Sequence, residues 1–294
     1  MLNLIVSTYL TEQSRLEVVV QDPDFLANPL KHVALLSDHG ILHGRDIAGK
    51  MSQVIQHING LLIPRRSPSR LEFMLGYGAM LAYLHDIGMK NFSAFGRAMH
   101  PEFAAQLMFT PEFGPWVELL WQENSGNVAW RLINLATQED LSQPPQLVLR
   151  EMLALSMAHS KSKVPLERLN DGQVLRETMQ RCVGTELHYL YHQQQVTKAE
   201  NKLANHRQAP ETEPEHTRLT EQLAAAQTQL ADWIATTEAS QRQNPDLERH
   251  YGPHPSFEHT AFGWLVADAP GVQQLALDVI DTVRALRCSV HALS

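Results

Sequence analysis

Apolar residues recur along most of the chain at the three- and four-residue spacing that is typical of helices. The clearest stretches are residues 47–58, residues 71–84 and the strongly apolar residues 272–292. This spacing gathers the apolar side chains on one face of each helix, where they can be buried together. No convincing stretch alternates apolar and polar residues as a half-buried strand would. The pattern predicts an all-α fold.

The composition changes between about residues 193 and 250, where Gln, Ala, Glu, Lys and Thr dominate. A proline-containing break at residues 209–214 separates two predicted helices, at about residues 184–206 and 215–240, and so short a connection favours an antiparallel hairpin. Because an apolar helix resumes further on, we expect a single domain over residues 1–294 into which this polar hairpin is inserted. A solvated hairpin closed on itself is favoured over an arm that binds a protein partner or a second copy of the chain.

Charge and composition narrow the class of protein. The net charge of −8 argues against broad binding to nucleic acid, which requires a basic face. No apolar run approaches the roughly 18 residues that would span a bilayer, and the first residues lack the basic region and cleavage site of a signal peptide. Two cysteines, Cys182 and Cys288, provide no disulfide framework. We therefore expect a soluble, cytoplasmic protein that does not bind a membrane.

A histidine and an aspartate are adjacent at the predicted end of the helix over residues 71–84. Neighbouring residues on a helix are rotated by about 100°, so His85 and Asp86 can reach one ion only where the helix ends. Gly88 lies two residues further on and favours such an ending. Imidazoles and carboxylates are both common ligands of first-row metals. The pair is therefore a candidate for a shared metal site.

Four further histidines border apolar helical sequence. His39 and His43 are four residues apart at the start of a predicted helix, so their side chains lie on one face, and either could be the first ligand. Asp38 precedes them. His100 precedes a proline that is predicted to open a new helix, and His159 ends an apolar helix. Any one of these histidines is more often a packed or surface residue than a ligand, but their shared position at helix ends favours a common metal site.

Basic side chains lie close in sequence to these histidines. Lys90 follows the His-Asp pair, Arg97 precedes the next histidine, and Lys161 and Lys163 follow the last one. Cations beside a metal suit a phosphate substrate, because they neutralise its oxygens as a bond breaks. For Lys163, a simple solvated lysine is at least as good an explanation.

Together these features resemble the HD superfamily of metal-dependent phosphohydrolases, an all-helical fold built around a histidine, a His-Asp pair and a distant aspartate. The later histidines resemble the two-metal branch that includes the HD-GYP phosphodiesterases. The GYP element itself is absent, so cyclic di-GMP is not implied as the substrate. The resemblance covers most of the chain outside the hairpin. It is carried by residues 43–48 as the first ligand helix, residues 85–88 as the signature, Lys90 as the displaced lysine of HDxGK, residues 100–104 as the HPxxG element with Ala104 in place of the glycine, and His159 as the next metal histidine.

The chain departs from this family near its C-terminal end. The family's last metal-binding aspartate is expected late in a helix, and the apolar helix over residues 272–292 carries His291 at that place. An imidazole could still bind a metal ion, and Asp281 or His259 could serve from a shifted register.

The resemblance implies metal-dependent hydrolysis of a phosphoester or phosphoanhydride in a small, nucleotide-like substrate. It implies one or two ions, with iron or manganese favoured and magnesium or zinc as alternatives, because no thiolates select zinc. Asp86 would bridge the ions or orient a water, and Lys90 and Arg97 would neutralise phosphate oxygens. The implied metal ligands are His43, His85, Asp86, His100, His159 and His291, with Asp38, His39 and Lys161 as further candidates.

Two other functions are compatible with the same residues. HD relatives use comparable ligands for oxygen chemistry, so a di-iron oxygenase is one alternative, and a product that forms only with oxygen would distinguish it. The other is a degenerate HD module that binds a nucleotide or a protein, through the hairpin, without turnover. The missing terminal aspartate favours this second alternative, whereas the His85-Asp86 pair and the neighbouring lysines oppose it.

Overall fold

The computed structural model describes residues 39–89, 94–123, 145–208, 213–242 and 270–292. Within these ranges the chain forms nine α-helices and several short 3₁₀ segments, and no β-strand. The predicted all-α fold is therefore confirmed for this part of the chain. None of the helices described there is long and apolar enough to cross a membrane. The helices are α1 (Ile41–Leu61), α2 (Pro68–Leu84), α3 (Ala94–Leu107), α4 (Gly114–Glu123), α5 (Pro145–Ala154), α6 (Gly172–Gly184), α7 (Leu187–Gln208), α8 (Glu213–Thr236) and α9 (Pro270–His291).

Three helices, α1, α2 and α9, pack against one another and form one side of the core. On α1 the apolar residues Ile47, Met51 and Ile55 recur every four positions and are fully buried, as the helical spacing predicts. Gly78 of α2 lies where the three helices meet. A Cβ atom at this position would lie 3.0 Å from Met51 of α1 and 3.4 Å from Thr282 of α9. The glycine therefore allows the three helices to approach closely.

Ion pairs anchor α9 to the start of α2. Asp278 of α9 is almost completely buried and accepts hydrogen bonds from Arg66 Nε (3.3 Å) and from Arg70 Nε (2.8 Å) and Nη2 (2.6 Å). Arg66 also pairs with Asp281, one turn later on α9. The hydrogen bond to Asp278 is the main cause that raises the pKa of Arg70. Both carboxylates on this part of α9 are thus neutralised by arginines.

A short 3₁₀ segment, Leu155–His159, lies at the centre of the described fold. It continues directly from α5 and contacts α2, α3, α6 and α9. All five of its residues are buried. One apolar core includes residues from α1 to α6 and from α9. The end of the segment, at His159, therefore lies in the interior of the molecule.

Helices α7 and α8 pack along each other. Tyr189 stacks on Trp233 near one end, and His206 stacks on His216 near the other, each pair with ring centroids 5.5 Å apart. Because the first residues of α7 meet the last residues of α8, the two helices are antiparallel. Their bounds lie within a few residues of the predicted helices. Their insertion into a single domain, and a role in binding a partner or a second copy, stay predictions.

Candidate metal centre

The end of α2 brings Asp86 into the interior of the protein. α2 ends at Leu84, and residues 85–89 continue as a turn in which Ile87 N donates to Leu84 O at 3.1 Å. The side chain of Asp86 is only 7% exposed. Its two carboxylate oxygens face imidazole rings from four different segments: the start of α1, the end of α2, α3 and Leu155–His159.

Three imidazole nitrogens surround one oxygen of Asp86, Oδ2. Distances to this oxygen are 2.9 Å from His39 Nδ1, 3.1 Å from His85 Nε2 and 3.4 Å from His43 Nε2. His43 lies in the first turn of α1, whereas His39 precedes Gly40, the residue before this helix, and the two ring centroids are 5.2 Å apart. The His43 ring also lies 5.3 Å from the His85 ring.

Two further histidines face the other oxygen, Oδ1. His100 Nε2, on α3, lies 3.6 Å from it, and His159 Nε2 lies 3.8 Å from it. These two Nε2 atoms are 2.9 Å apart. One carboxylate is therefore shared by two groups that could each hold an ion. The groups are His39, His43 and Asp86, and Asp86, His100 and His159.

Backbone carbonyls orient three of these rings. In each case Nδ1 lies within hydrogen-bond distance of the carbonyl oxygen three residues earlier. Since a carbonyl oxygen only accepts, Nδ1 carries a proton in each of these rings, and Nε2 is the ring nitrogen that faces the centre. Nε2 is thus ready to bind a metal ion. The bonds are His85 to Ala82 (2.6 Å), His100 to Arg97 (2.8 Å) and His159 to Ser156 (2.8 Å).

Pro101 explains why one of these carbonyls is available. The prediction that Pro101 opens a new helix is wrong, because this residue lies inside α3. In an uninterrupted helix the Arg97 carbonyl would accept the N–H of residue 101, but proline has none. The packing of α3 against α6, α7 and Leu155–His159 offsets the lost hydrogen bond. The Arg97 carbonyl is left to accept from His100 Nδ1.

The contact between His100 and His159 is not an ordinary hydrogen bond. With both Nδ1 atoms donating to carbonyls, two Nε2 lone pairs face each other at 2.9 Å, and a cation beside them would remove the repulsion. Two imidazole nitrogens bound at right angles to one ion, each at about 2.1 Å, lie about 3.0 Å apart. His85 Nε2 is buried and lies 3.1 Å from Asp86 Oδ2. The donor geometry therefore fits a metal ion.

Burial and neighbouring charges set the protonation states of the centre. Burial lowers the pKa of His159 to well below its ordinary value, and His85 and His100 lower it further. Burial also lowers the pKa of His100. Burial acts to raise the pKa of Asp86, but the charge of His85 and the hydrogen bond from His39 outweigh it and hold this pKa well below its usual range. At neutral pH the centre therefore presents neutral His100 and His159 beside an ionised carboxylate, the forms that bind metal.

The basic residues expected to contact phosphate are only partly described. Arg97 has an exposed side chain on α3, one turn before a ligand candidate. Lys161 is exposed in the turn that follows Leu155–His159. Lys90, together with the further candidates Asp38 and His259, lies outside the described residues. The assignment of all these residues to the site stays a prediction.

Lys163 and Glu102 form a buried ion pair beside the centre. Both side chains are at most 5% exposed, so the explanation of Lys163 as a solvated lysine is wrong. Burial raises the pKa of Glu102, and the charge of Lys163 opposes this effect. The pair joins the turn after His159 to α3, which carries His100. The sequence pattern contains no signal for this pair, since its members are far apart along the chain.

Helix α9 contributes no described side chain to either group of metal-ligand candidates. His291 is the last residue of α9 and belongs to neither group. Burial lowers its pKa, and the nearby charges of Lys161 and Arg287 lower it further. Asp281, on the same helix, pairs with Arg66 and belongs to neither group. The structure thus brings together the histidines of α1, α2, α3 and Leu155–His159, but not His291.

Gly88 allows two ligand-bearing segments to approach each other. The sequence suggests only that this glycine ends a helix, yet α2 already ends four residues earlier, at Leu84. A Cβ atom at Gly88 would collide with the His100 carbonyl oxygen and lie 2.7 Å from Ala104 N. The turn that carries Asp86 therefore rests directly on the backbone of α3.

The described residues form a His/Asp cluster around the buried Asp86 that is compatible with an HD-like metal site. Its two groups contain four imidazoles and one shared carboxylate, Asp86, and His85 lies beside this carboxylate. Neither cysteine belongs to it, since Cys182 is buried on α6 and Cys288 is exposed on α9. Comparisons of this chain with protein-family models, with curated proteins and with solved structures found no match.

Proposed function

We propose that this protein is a metal-dependent phosphohydrolase of the HD type, in which Asp86 bridges two ions. The observation that supports this most strongly is the sharing of one buried carboxylate by two histidine groups. Oδ2 faces His39 and His43, and Oδ1 faces His100 and His159. Two ions held about 3.5–4 Å apart form the clamp that many phosphate-hydrolysing sites use.

The protein's own residues would hold and orient the reacting groups. Two bound ions would supply a water of lowered pKa and would neutralise charge on the phosphate oxygens. Asp86 remains ionised in the interior because the surrounding imidazoles hold its pKa low. His85, His100 and His159 direct their Nε2 atoms inward through the carbonyl bonds at Nδ1. Without thiolate donors, iron or manganese is favoured over zinc.

A phosphorylated, nucleotide-like small molecule is the proposed substrate. Arg97 and Lys161 have exposed side chains next to segments that carry ligand candidates, so they could neutralise phosphate oxygens from solvent. Lys90 follows the His-Asp turn in sequence and is proposed for the same role. Lys163 is not, because Glu102 already pairs with it. Because the net charge of the protein is −8, we expect an anionic substrate to be attracted to a local group of cations.

Metal content and phosphate release test this proposal together. Protein purified without chelator should carry iron or manganese and release phosphate from some members of a nucleotide panel. Asp86→Ala should lose both ions and all release, because both groups share this carboxylate. His57→Ala, an exposed position on α1, is the matched control and should keep both. Full metal content in D86A would refute the proposal, and a product that forms only with oxygen would identify a di-iron oxygenase instead.

A binding module without turnover is the second candidate, and one observation favours it. Asp278 and Asp281, the carboxylates of α9 in the described residues, both pair with arginines, and His291 lies outside the cluster. α9 therefore supplies none of the described donors. Stoichiometric metal with nucleotide binding but no phosphate release under any condition would support this candidate.

A further inference from the structure

Arg287, on α9, is the largest of the fully buried side chains in the described structure. Its Nε donates to the carbonyl oxygen of Ala158 at 3.0 Å, and its Nη2 donates to that of Ser160 at 3.2 Å and to that of Val164. The acceptors that the structure shows for this guanidinium are thus all backbone carbonyls. Burial lowers the pKa of Arg287.

The three carbonyls belong to the backbone on both sides of His159. Ala158 precedes it, Ser160 follows it, and Val164 closes the turn. The direction of the His159 ring depends on this backbone, because its Nδ1 also bonds the nearby Ser156 carbonyl. A metal ion tolerates only small displacements of a ligand atom, so the backbone has to be fixed.

The same turn is held from a second side. Lys163 pairs with Glu102 of α3, two residues after His100. The turn is therefore tied to α9 through Arg287 and to α3 through Lys163. These two ties fix the position of His159 relative to His100, whose Nε2 atoms are 2.9 Å apart.

An apolar residue would fill the place of Arg287 with a smaller desolvation cost, because the guanidinium is buried and its Nη1 makes no hydrogen bond within the described residues. Its planar fork can bind several carbonyls in one fixed geometry, which an ammonium group or an apolar chain cannot do. We propose that Arg287 is a positioning residue, which holds His159 in the geometry needed by the ion of the Asp86, His100 and His159 group. This inference rests on the proposed two-ion site.

Manganese titration tests the role, with the free ion counted by electron paramagnetic resonance. Wild type and the control Arg284→Met should bind two ions, because Arg284 is half exposed on the same helix and pairs only with Asp281 in the described structure. Arg287→Met and Arg287→Lys should keep one ion at wild-type affinity. The affinity for the other ion should fall about 10- to 100-fold, which is the usual effect of removing a residue that orients a metal ligand.

Double variants identify which ion is weakened. In a His43→Ala background, which leaves the Asp86, His100 and His159 group, adding R287K should weaken the remaining ion. In a His159→Ala background, adding R287K should change nothing. A merely structural role of Arg287 would lower the melting temperature of the metal-free protein without this selectivity.

The outcomes separate the two proposals. If R287M fails to fold, R287K decides, since it keeps the positive charge and loses the fork. Two ions at wild-type affinity in R287K, or equal weakening of both ions, would overturn the role of Arg287 and leave the two-ion site standing. Absence of manganese binding in wild type would overturn the two-ion site, and the role of Arg287 with it.

Discussion

Three histidines of the centre bond a backbone carbonyl three residues earlier, and for His100 this carbonyl is one that helical hydrogen bonding leaves free. His85 follows the last residue of α2, His159 ends a 3₁₀ segment, and His100 precedes Pro101, whose missing N–H frees a carbonyl in mid-helix. Each ring donates Nδ1–H to the carbonyl three residues earlier. An interruption of the helix thus selects the tautomer with Nε2 free to bind metal.

Pro101→Ala should therefore weaken metal binding without destabilising the metal-free protein. The new N–H would bond the Arg97 carbonyl and compete with His100 Nδ1, so one manganese ion should bind about tenfold more weakly. The melting temperature of the metal-free protein should not fall, because α3 gains a hydrogen bond. Pro111→Ala is the matched control, since Pro111 begins a 3₁₀ segment, where no N–H is needed. Unchanged manganese affinity in P101A would show that the Arg97 carbonyl does not orient the ring.

Contacts between helices, and not the helices alone, assemble the centre. The turn after α2 meets α3 at Gly88, where a Cβ atom would collide with the His100 carbonyl oxygen. The segment Leu155–His159 contacts both α3 and α9. α9 is in turn fixed to the start of α2 through Asp278. A change at any of these contacts should lower the free energy of unfolding or displace the candidate metal ligands.

Gly88→Ala should destabilise the protein by at least about 2 kcal/mol, because the added methyl group overlaps the backbone of α3. The control is Gly76→Ala in α2, where a Cβ atom would meet nothing within 4 Å. Alanine is the better helix former, so this control should stabilise by about 0.5–1 kcal/mol. Urea unfolding of both metal-free variants measures the difference. Equal stability of G88A and wild type would contradict the close approach of the turn to α3.

Asp278→Ala should cost about 3–5 kcal/mol, because it leaves the charges of Arg66 and Arg70 without their buried partner. Folded D278A should still bind two manganese ions, since Asp278 is not a ligand candidate in the structure. Asp46→Ala removes an exposed carboxylate 3.9 Å from Arg45 and should change the unfolding free energy by less than about 1 kcal/mol. Loss of a metal ion in D278A at unchanged stability would instead place this aspartate at the centre.

The sequence predicts the parts of this molecule that depend on local spacing. The helical period gives the all-α fold, and His39 and His43, the two sequence candidates for the first ligand, both lie beside Asp86, although His39 precedes α1. Other features depend on residues far apart along the chain. Asp278 meets arginines of the α1–α2 region, and Lys163 meets Glu102, because of how whole helices pack. The packing of α9 cannot be predicted from local spacing. The sequence therefore offers His291 as a ligand candidate, whereas the structure leaves it outside both groups.

The stability of the whole metal-free protein should fall as the pH decreases from 7.5 to 5.5. His159 and His100 have pKa values below the ordinary one when folded, so they take up protons more readily in the unfolded chain, which has a pKa of about 6.5 for such groups. Stability supplied by their neutral forms is therefore present above this value and lost below it. Asp86 has a lowered pKa and stays ionised in this window, so its contribution is lost only in stronger acid.

Urea unfolding of chelator-treated protein at both pH values measures this effect. His159→Asn should reduce the loss of stability between pH 7.5 and 5.5, whereas the exposed control H57A should leave it unchanged. Saturation with manganese should make the dependence steeper, because the ion stabilises the folded state and protons compete with it for the imidazoles. A metal-free protein that is equally stable at both pH values would show that the two buried rings are not held neutral, and the centre would then lack the lone pairs that a metal ion needs.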